Sequence, residues 1–554
     1  MKKIILAGIN ARYTHSCLAL YCLKSALRGL DVETVVRDFS INRNAGEIMK
    51  EIASEKADVI ALSVYIWNSG LVRELIPALH EKCGGVLLVL GGPEVSYNPA
   101  SWLEAFPFID FIVTGHGEEG FRTLAEKGFR NEEKIIAVPN PPFGDMPIPY
   151  TEEDLEGLRT RYVYYESSRG CPYRCTYCLS SRSDHKLEMK DIETVKKELD
   201  FILRDGPRLV KFVDRTFNAA KNHSRALWRY LKDKYGDGPT TFHFEVHPHL
   251  LEEEDFEILS QCPEGLFQFE VGVQSTNPET VAAVKRAGQW PGERAALERL
   301  LALGTIRVHC DLIAGLPFDD MASIEGSFND CYHLRPDHLQ LGFLKVLPGT
   351  EMMYDAGRYS IVYSEKAPYR VLENRWVSGE DLALLDRMAF LVDRLYNTGR
   401  FETFLSVLLG RFASPFAMFR ELTLFRDGSE ASMDRGWESG ARFLMAFIDS
   451  RFPGDKQFFL DAMEWDWCAR SRSLYFPNLI KPEGLSELKK KIFSHYKGLA
   501  GKGPAMDGGI RFDLSDLKRS LFFEPRSDEF RLRHMGGAAV AIFLPDKRVI
   551  MLKL

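Results

Sequence analysis

Short apolar runs alternate with segments of helical apolar spacing along the first 135 residues of the chain. The runs at 3–8, 32–38, 59–64, 86–90 and 111–114 suit strands of a parallel sheet covered by helices on both faces. Alternation resumes after residue 161. Runs at 162–166, 209–213, 241–246, 266–271, 307–313 and 338–345 predict six further strands with helical segments between them, a parallel barrel or partial barrel. The stretch Pro139-Asn140-Pro141-Pro142-Phe143-Gly144-Asp145-Met146-Pro147-Ile148-Pro149 is too proline-dense for a helix or an inner strand and reads as linker. Past residue 365 the pattern turns to aromatic-rich helices, as at 381–396 and 456–467, and 538–544 with 548–553 predict a hairpin around Pro545-Asp546-Lys547. The expected fold class is α/β: a doubly wound, Rossmann-like domain over 1–138, a linker over 139–160, a (β/α)6 barrel over 161–360, and a mainly helical region over 361–554 with a terminal β-hairpin.

Composition narrows the function classes. Hydrophobic content of 45% and charged content of 27% over 554 residues are those of a multidomain globular protein. A net charge of −7 without a dense Lys/Arg block argues against a nucleic-acid surface. The ten cysteines do not form the spacing of a secreted disulfide framework, so a reducing, cytoplasmic compartment is expected. The apolar run at 4–9 is cut short by Asn10 and Arg12 and reads as a first strand, and no apolar stretch approaches bilayer length.

The most informative chemistry follows the first barrel strand. Cys171-Pro172-Tyr173-Arg174-Cys175-Thr176-Tyr177-Cys178 supplies three thiolates on one tight loop. A four-iron cluster takes about one thiolate per iron, so three protein ligands leave one iron open. Structural zinc prefers four closed ligands, and neither a CxxC nor a close histidine follows. In the first domain, Asn10, Arg12, Tyr13, Thr14, His15, Tyr65, Trp67, Gly91, Gly92, Glu94, Gly115, Gly117 and Glu118 fall in loops after strands, where an open α/β sheet binds ligands. Glu245 and Glu270 interrupt apolar strands, and a carboxylate facing into a barrel needs a partner or a ligand.

The cysteine spacing, with Tyr177 just before the third thiol, resembles the radical S-adenosylmethionine (SAM) superfamily. The resemblance implies a six-strand partial TIM-like barrel, a 4Fe-4S cluster on Cys171, Cys175 and Cys178, and SAM held at the open iron and cleaved by an electron to a 5'-deoxyadenosyl radical. It implies SAM contacts for Asp214, Glu245, Glu270, Gln274, Ser275 and Arg286, with backbone shape from the Gly315 and Pro317 loop. Arg215 stands where relatives often carry a second acid. An α/β domain ahead of the barrel resembles the cobalamin-dependent class, which implies cobalamin in the loops above, an uncharacterised subgroup with a C-terminal domain of unknown function, and a flavodoxin- or ferredoxin-type electron donor. The Asp-x-His-x-x-Gly motif of cobalt ligation is absent, leaving His15 or His116 as the histidines for that role, although a lone loop histidine is more often a hydrogen-bonding group.

The expected activity is methyl transfer to an unactivated carbon of a small molecule. Methylthiotransfer to tRNA or protein, a cobalamin-type rearrangement or cyclisation, and a non-enzymatic cobalamin, SAM or redox sensor are the alternatives. Cys17, Cys22 and Cys83 lack the spacing that the methylthiotransferase reading needs.

Overall fold

The computed structural model describes residues 1–181, 186–428, 433–434, 436–471, 473–500, 505–507 and 509–553. It divides into two compact units, the first comprising Met1–Asp330, Leu334–Pro336 and Leu341–Leu382, the second Cys331–His333, Asp337–Gln340 and Ala383–Leu554.

Six parallel strands open the first unit: β1 (Lys2–Asn10), β2 (Val32–Ser40), β3 (Val59–Ser63), β4 (Leu87–Gly91), β5 (Phe111–Val113) and β6 (Ile135–Ile136), in the order β2-β1-β3-β4-β5-β6. Alternate β1 side chains explain its unbroken apolar run. Ile5, Ala7 and Ile9 pack on one face with Leu62, Ile76 and Trp102, while Ile4 and Leu6 pack on the other with Val89 and Phe121. Strand order reverses between β1 and β3, so the loops after these strands diverge to opposite faces and leave a crevice at their carboxyl ends. β6 had no signal beyond two isoleucines. The proline-rich stretch forms only a 3-10 turn at Phe143–Asp145.

The second sheet follows the chain from Val163–Tyr165 through Leu209–Phe212, Thr241–Glu245, Phe267–Gln274 and Arg307–Ala314 to His338–Phe343. Phe267, Phe269, Val271 and Val273 are buried on one face of the fourth of these strands, and Trp228 of the helix Lys221–Tyr235 stacks 5.5 Å from Phe269. The intervening residues face a polar lumen. There the Lys211 ammonium lies 3.1 Å and His243 Nε2 2.8 Å from the Glu270 carboxylate, and the Gln268 amide reaches both His243 and His309 at 3.1 Å. A barrel filled for stability alone carries branched apolar residues in its interior; here polar side chains that pair with one another take part of that space.

In the second unit, helices include Glu402–Leu409, Pro415–Asp427, Trp437–Arg451 and Lys456–Arg470. The expected terminal hairpin forms from Val540–Phe543 and Val549–Leu552, and a third antiparallel strand, Leu521–Phe523, joins it. No helix among the described residues is long and apolar enough to cross a membrane.

Candidate functional site

The cysteine loop leaves the first barrel strand through Ser168–Arg169, which pairs antiparallel with Glu188–Met189. Gly170 then turns the chain at φ +91°, where a Cβ would collide with the Lys186 carbonyl. The Thr176 amide donates to the Val284 carbonyl at 3.0 Å, and the Thr176 carbonyl accepts from Met352 at 2.9 Å, so the loop is pinned on two sides. Cys171, Cys175 and Cys178 are all partly exposed, with Cys171 Sγ 3.5 Å from Thr216 Oγ1. Thiolates on a single zinc, at about 2.3 Å from the ion, stand roughly 3.8 Å apart. The three thiols do not form a trio whose ligand atoms all lie within 4.8 Å of one another. A lone zinc ion does not suit such a spread, whereas a four-iron cluster takes its thiolates on separate irons.

Around the loop stand the residues expected at SAM. Arg286 donates to the Gly272 carbonyl and feels the Tyr177 and Cys175 side chains, yet its Nε is buried without a partner. Gln274, at φ +70°, likewise buries an unpartnered Oε1. Two buried orphan groups beside a cysteine loop are what an absent polar ligand leaves behind, and they fit a zwitterionic cosubstrate. Ser275 Oγ donates to Asp319 at 3.2 Å, Gly315 turns at φ +88° against Val371, and Pro317 is buried in the same loop. Asp214 sits differently from the expectation. Its carboxylate accepts from Ser167 Oγ and Ser168 Oγ at 2.6 Å each and from the Ser167 amide at 3.1 Å, and burial still pushes it up to about 6. It braces the strand that leads into the loop. Glu270 is held below the ordinary carboxylate range despite its burial, by His243 and Lys211.

A cavity of about 630 Å³ opens at the carboxyl ends of β1, β3 and β4 and continues to the barrel. Asn10, His15, Tyr65, Trp67, Gly91, Gly92, Gly115, Gly117 and Glu118 line its first-domain side. Tyr65 and Trp67 stack at 4.4 Å with 7° between their planes, and Trp67 is 45% exposed, a flat apolar wall. Gly115 and Gly117 turn at φ +75° and +84°, which favours glycine, and a Cβ at Gly115 would meet no atom within 4 Å, so the space beside this loop is open. Asn10 fixes the floor by donating to Asp38 at 2.8 Å and to the His15 carbonyl at 3.1 Å. Arg12, Tyr13, Thr14 and Glu94 are not in the cavity lining: Arg12 is exposed, Tyr13 lies under the Arg161 guanidinium, the Thr14 carbonyl accepts from Tyr162, and Glu94 accepts from Ser69 and Tyr369.

Tyr164, Glu166, Arg169, Lys211, Arg215 and Glu245 form the barrel side of the same cavity. Of these, only Glu245 was anticipated as a ligand. The i, i+2, i+4 spacing of Lys211, Val213 and Arg215 on a strand was the available signal for the others. Glu245, 3.5 Å from Arg215, is pushed up to about 7 by burial, more than Arg215 and Lys211 draw it down. Glu245 raises the Arg215 pKa against the cost of burial, and Cys178 adds a smaller contribution of the same sign. His15 is half-buried with Nδ1 2.6 Å from Tyr164 Oη, and desolvation, with Lys211 nearby, lowers its pKa. Burial pushes the Cys17 thiol up to about 11 and the Cys22 thiol well above its ordinary range, leaving both as poor ligands for an auxiliary cluster.

Residues 4–125 match the family described as B12 binding domain, residues 165–331 the Radical SAM superfamily, and residues 357–524 a protein of unknown function, DUF4080. The cobalamin-dependent radical SAM methyltransferase TokK of Streptomyces tokunonensis is 24% identical over 298 residues, 48% of this chain and 43% of that protein. The uncharacterized methyltransferase PH0819 of Pyrococcus horikoshii is 24% identical over 344 residues, 55% of this chain and 70% of that one. The chain thus spans less than half of TokK. Among solved structures, apo OxsB, a cobalamin-dependent SAM radical enzyme, superposes with a TM-score of 0.56 at 17% identity over 84% of this chain and 78% of that one. The methyltransferase TsrM of Kitasatospora setae gives 0.55 at 18% over 66% and 77%. These likenesses place the fold.

Proposed function

We propose that this chain, a radical SAM protein with a B12-binding domain ahead of its barrel and a DUF4080 domain after it, is a cobalamin-dependent methyltransferase acting on an unactivated carbon of a small molecule. The observation that carries the reading is the continuous cavity, walled by the β1, β3 and β4 loops on one side and by Tyr164, Lys211, Arg215 and Glu245 on the other. When bound, the cluster supplies one-electron cleavage of the SAM sulfonium and cobalamin supplies a methyl carrier.

The chain's own residues bind and orient. Cys171, Cys175 and Cys178 hold the cluster and leave one iron open. Gln274 Oε1 and Arg286 Nε meet the polar ends of SAM, where unpartnered buried groups would otherwise be costly. Trp67 and Tyr65 present a flat wall to the corrin, and Gly115 and Gly117 let the backbone approach it. Glu245, titrating near neutrality, holds or accepts a proton at the cavity floor next to Lys211 and Arg215, where a polar group of the substrate binds.

The ten cysteines lack the spacing of a secreted disulfide framework, which supports a reducing, cytoplasmic setting, and one-electron cleavage of SAM calls for a flavodoxin- or ferredoxin-type electron donor. The test is anaerobic incubation of the cluster-loaded, cobalamin-supplied chain with a reductant and methyl-labelled SAM. Formation of 5'-deoxyadenosine together with label in a small-molecule acceptor supports the reading. 5'-Deoxyadenosine with no label transferred to any candidate acceptor favours rearrangement or cyclisation, and formation of neither product removes the enzymatic reading.

A further inference from the structure

A second constellation of metal-binding side chains sits behind the cysteine loop and has no part in the function above. The third barrel strand, Thr241–Glu245, runs on into His247, and the 3-10 turn Pro248–Leu250 folds His249 back against it. His249 Nδ1 lies 2.8 Å from His247 Nδ1, with the two rings at 87°. The Glu293 carboxylate, from the first turn of the helix Trp290–Ala302, lies 3.6 Å from the same His247 nitrogen. All three ligand atoms fall within 4.8 Å of one another, the one such trio among the described residues. His247 and Glu293 are each 4% exposed, while His249 stands at the surface. Gly288, at φ +92°, leaves space that a Cβ would take from the Glu293 carboxylate.

We propose that His247, His249 and Glu293 bind a divalent transition-metal ion of the zinc type, with water completing the coordination on the exposed His249 side. Two imidazoles and a carboxylate form a known zinc donor set, and tetrahedral ligands at about 2.0–2.1 Å stand roughly 3.3 Å apart. The observed 2.8 and 3.6 Å bracket that separation. Without an ion, one proton shared between the two imidazoles accounts for the 2.8 Å contact. It does not account for a buried carboxylate that faces the same nitrogen at 3.6 Å, beyond hydrogen-bonding reach. Burial, with Arg286 second, favours neutral imidazoles at His247 and His249, and burial pushes Glu293 up to about 7 while Arg286, which opposes a cation by repulsion, draws it back towards the ionised form.

The ion has a defined structural task. Tyr173, between Cys171 and Cys175, packs 5.1 Å from the His247 ring and 5.8 Å from the His249 ring, and its hydroxyl is 3.4 Å from His249 Nε2. A ligated His249 donates its second N–H outward, and a tyrosine hydroxyl on the cluster loop is placed to accept it. The site therefore buttresses the cysteine loop from behind.

The experiment uses the full-length chain with its iron–sulfur cluster reconstituted, so that the loop thiols are occupied. The chain is equilibrated with zinc sulfate, desalted, and measured for zinc content and zinc-edge X-ray absorption. One zinc per chain with only nitrogen and oxygen in its shell is expected. The surface variant His249→Asn, with an unchanged circular dichroism spectrum, should lose zinc affinity by roughly tenfold or more, since loss of even an outer-shell partner costs that much. No bound zinc in the wild-type chain, sulfur in the zinc shell, or equal zinc content in His249→Asn overturns the proposal.

Discussion

Arg169 Nη2 lies 2.9 Å from the Glu118 carboxylate, joining the residue two positions before the first cluster cysteine to the helix that follows β5. Glu118 is buried and Arg169 largely so, and Arg169 also pairs with Glu166 at 2.8 Å. Removing one member leaves a buried charge short of a partner. Because Glu166 remains, Glu118→Gln should cost about 1–3 kcal/mol rather than the full penalty of an isolated charge. Calorimetry of the cluster-free chain should show a lowered transition for this variant, and an unchanged melt would mean that the pair contributes nothing.

The cysteine assignment makes a sharper demand. Cys171→Ala, Cys175→Ala and Cys178→Ala should each abolish SAM cleavage, because a cluster with two protein thiolates loses its hold on the loop. The β1–β6 sheet shares no residue with that loop, so its circular dichroism contribution should persist. SAM cleavage retained by any one variant contradicts the ligand set.

Gly92 tests the first-domain cavity. It turns at φ +107°, and a Cβ there would stand 2.6 Å from the Val64 carbonyl. Gly92→Ala should strain the β4 loop by about 1–3 kcal/mol and displace the cavity wall. After loading with hydroxocobalamin and gel filtration, the cobalt content of Gly92→Ala should fall well below that of the wild-type chain. Equal retention would place the corrin somewhere else.

Glu464 gives a pH signature confined to the second unit. Its side chain is fully buried, and burial pushes it up to about 7, against the pull of Arg526. The folded state keeps a proton that the unfolded chain releases near 4.5, so stability falls as pH rises from about 4.5 to about 7. Glu464→Gln removes that dependence, and its stability relative to wild type should improve by on the order of 2–3 kcal/mol between pH 5 and pH 8. A difference that is flat across this range would show that the carboxyl does not titrate as described.

The two sheets were legible because their strands carry apolar residues in long runs or strict alternation, as in Ile4 to Ile9 and Phe267 to Val273. The cysteine loop was legible from spacing alone. What escaped were features set by tertiary placement. Asp214 reads as a ligand from its strand-end position, but the partners that claim its carboxylate, Ser167 and Ser168, lie more than forty positions away in the chain. Tyr164 and Arg169 enter the cavity only because the first barrel strand packs beside the β1 loop, where Tyr164 meets His15. Leu521–Phe523 is too short a strand to announce itself, and its pairing with Val540–Phe543 supplies the signal the local sequence lacks.

Electron paramagnetic resonance of the reduced, cluster-loaded chain, recorded before and after addition of SAM, tests the open iron beside Gln274 and Arg286 most directly. A shifted cluster signal on SAM addition is expected, with the shift weakened in Arg286→Met. A signal that SAM leaves unperturbed would contradict a three-cysteine cluster with a vacant coordination position.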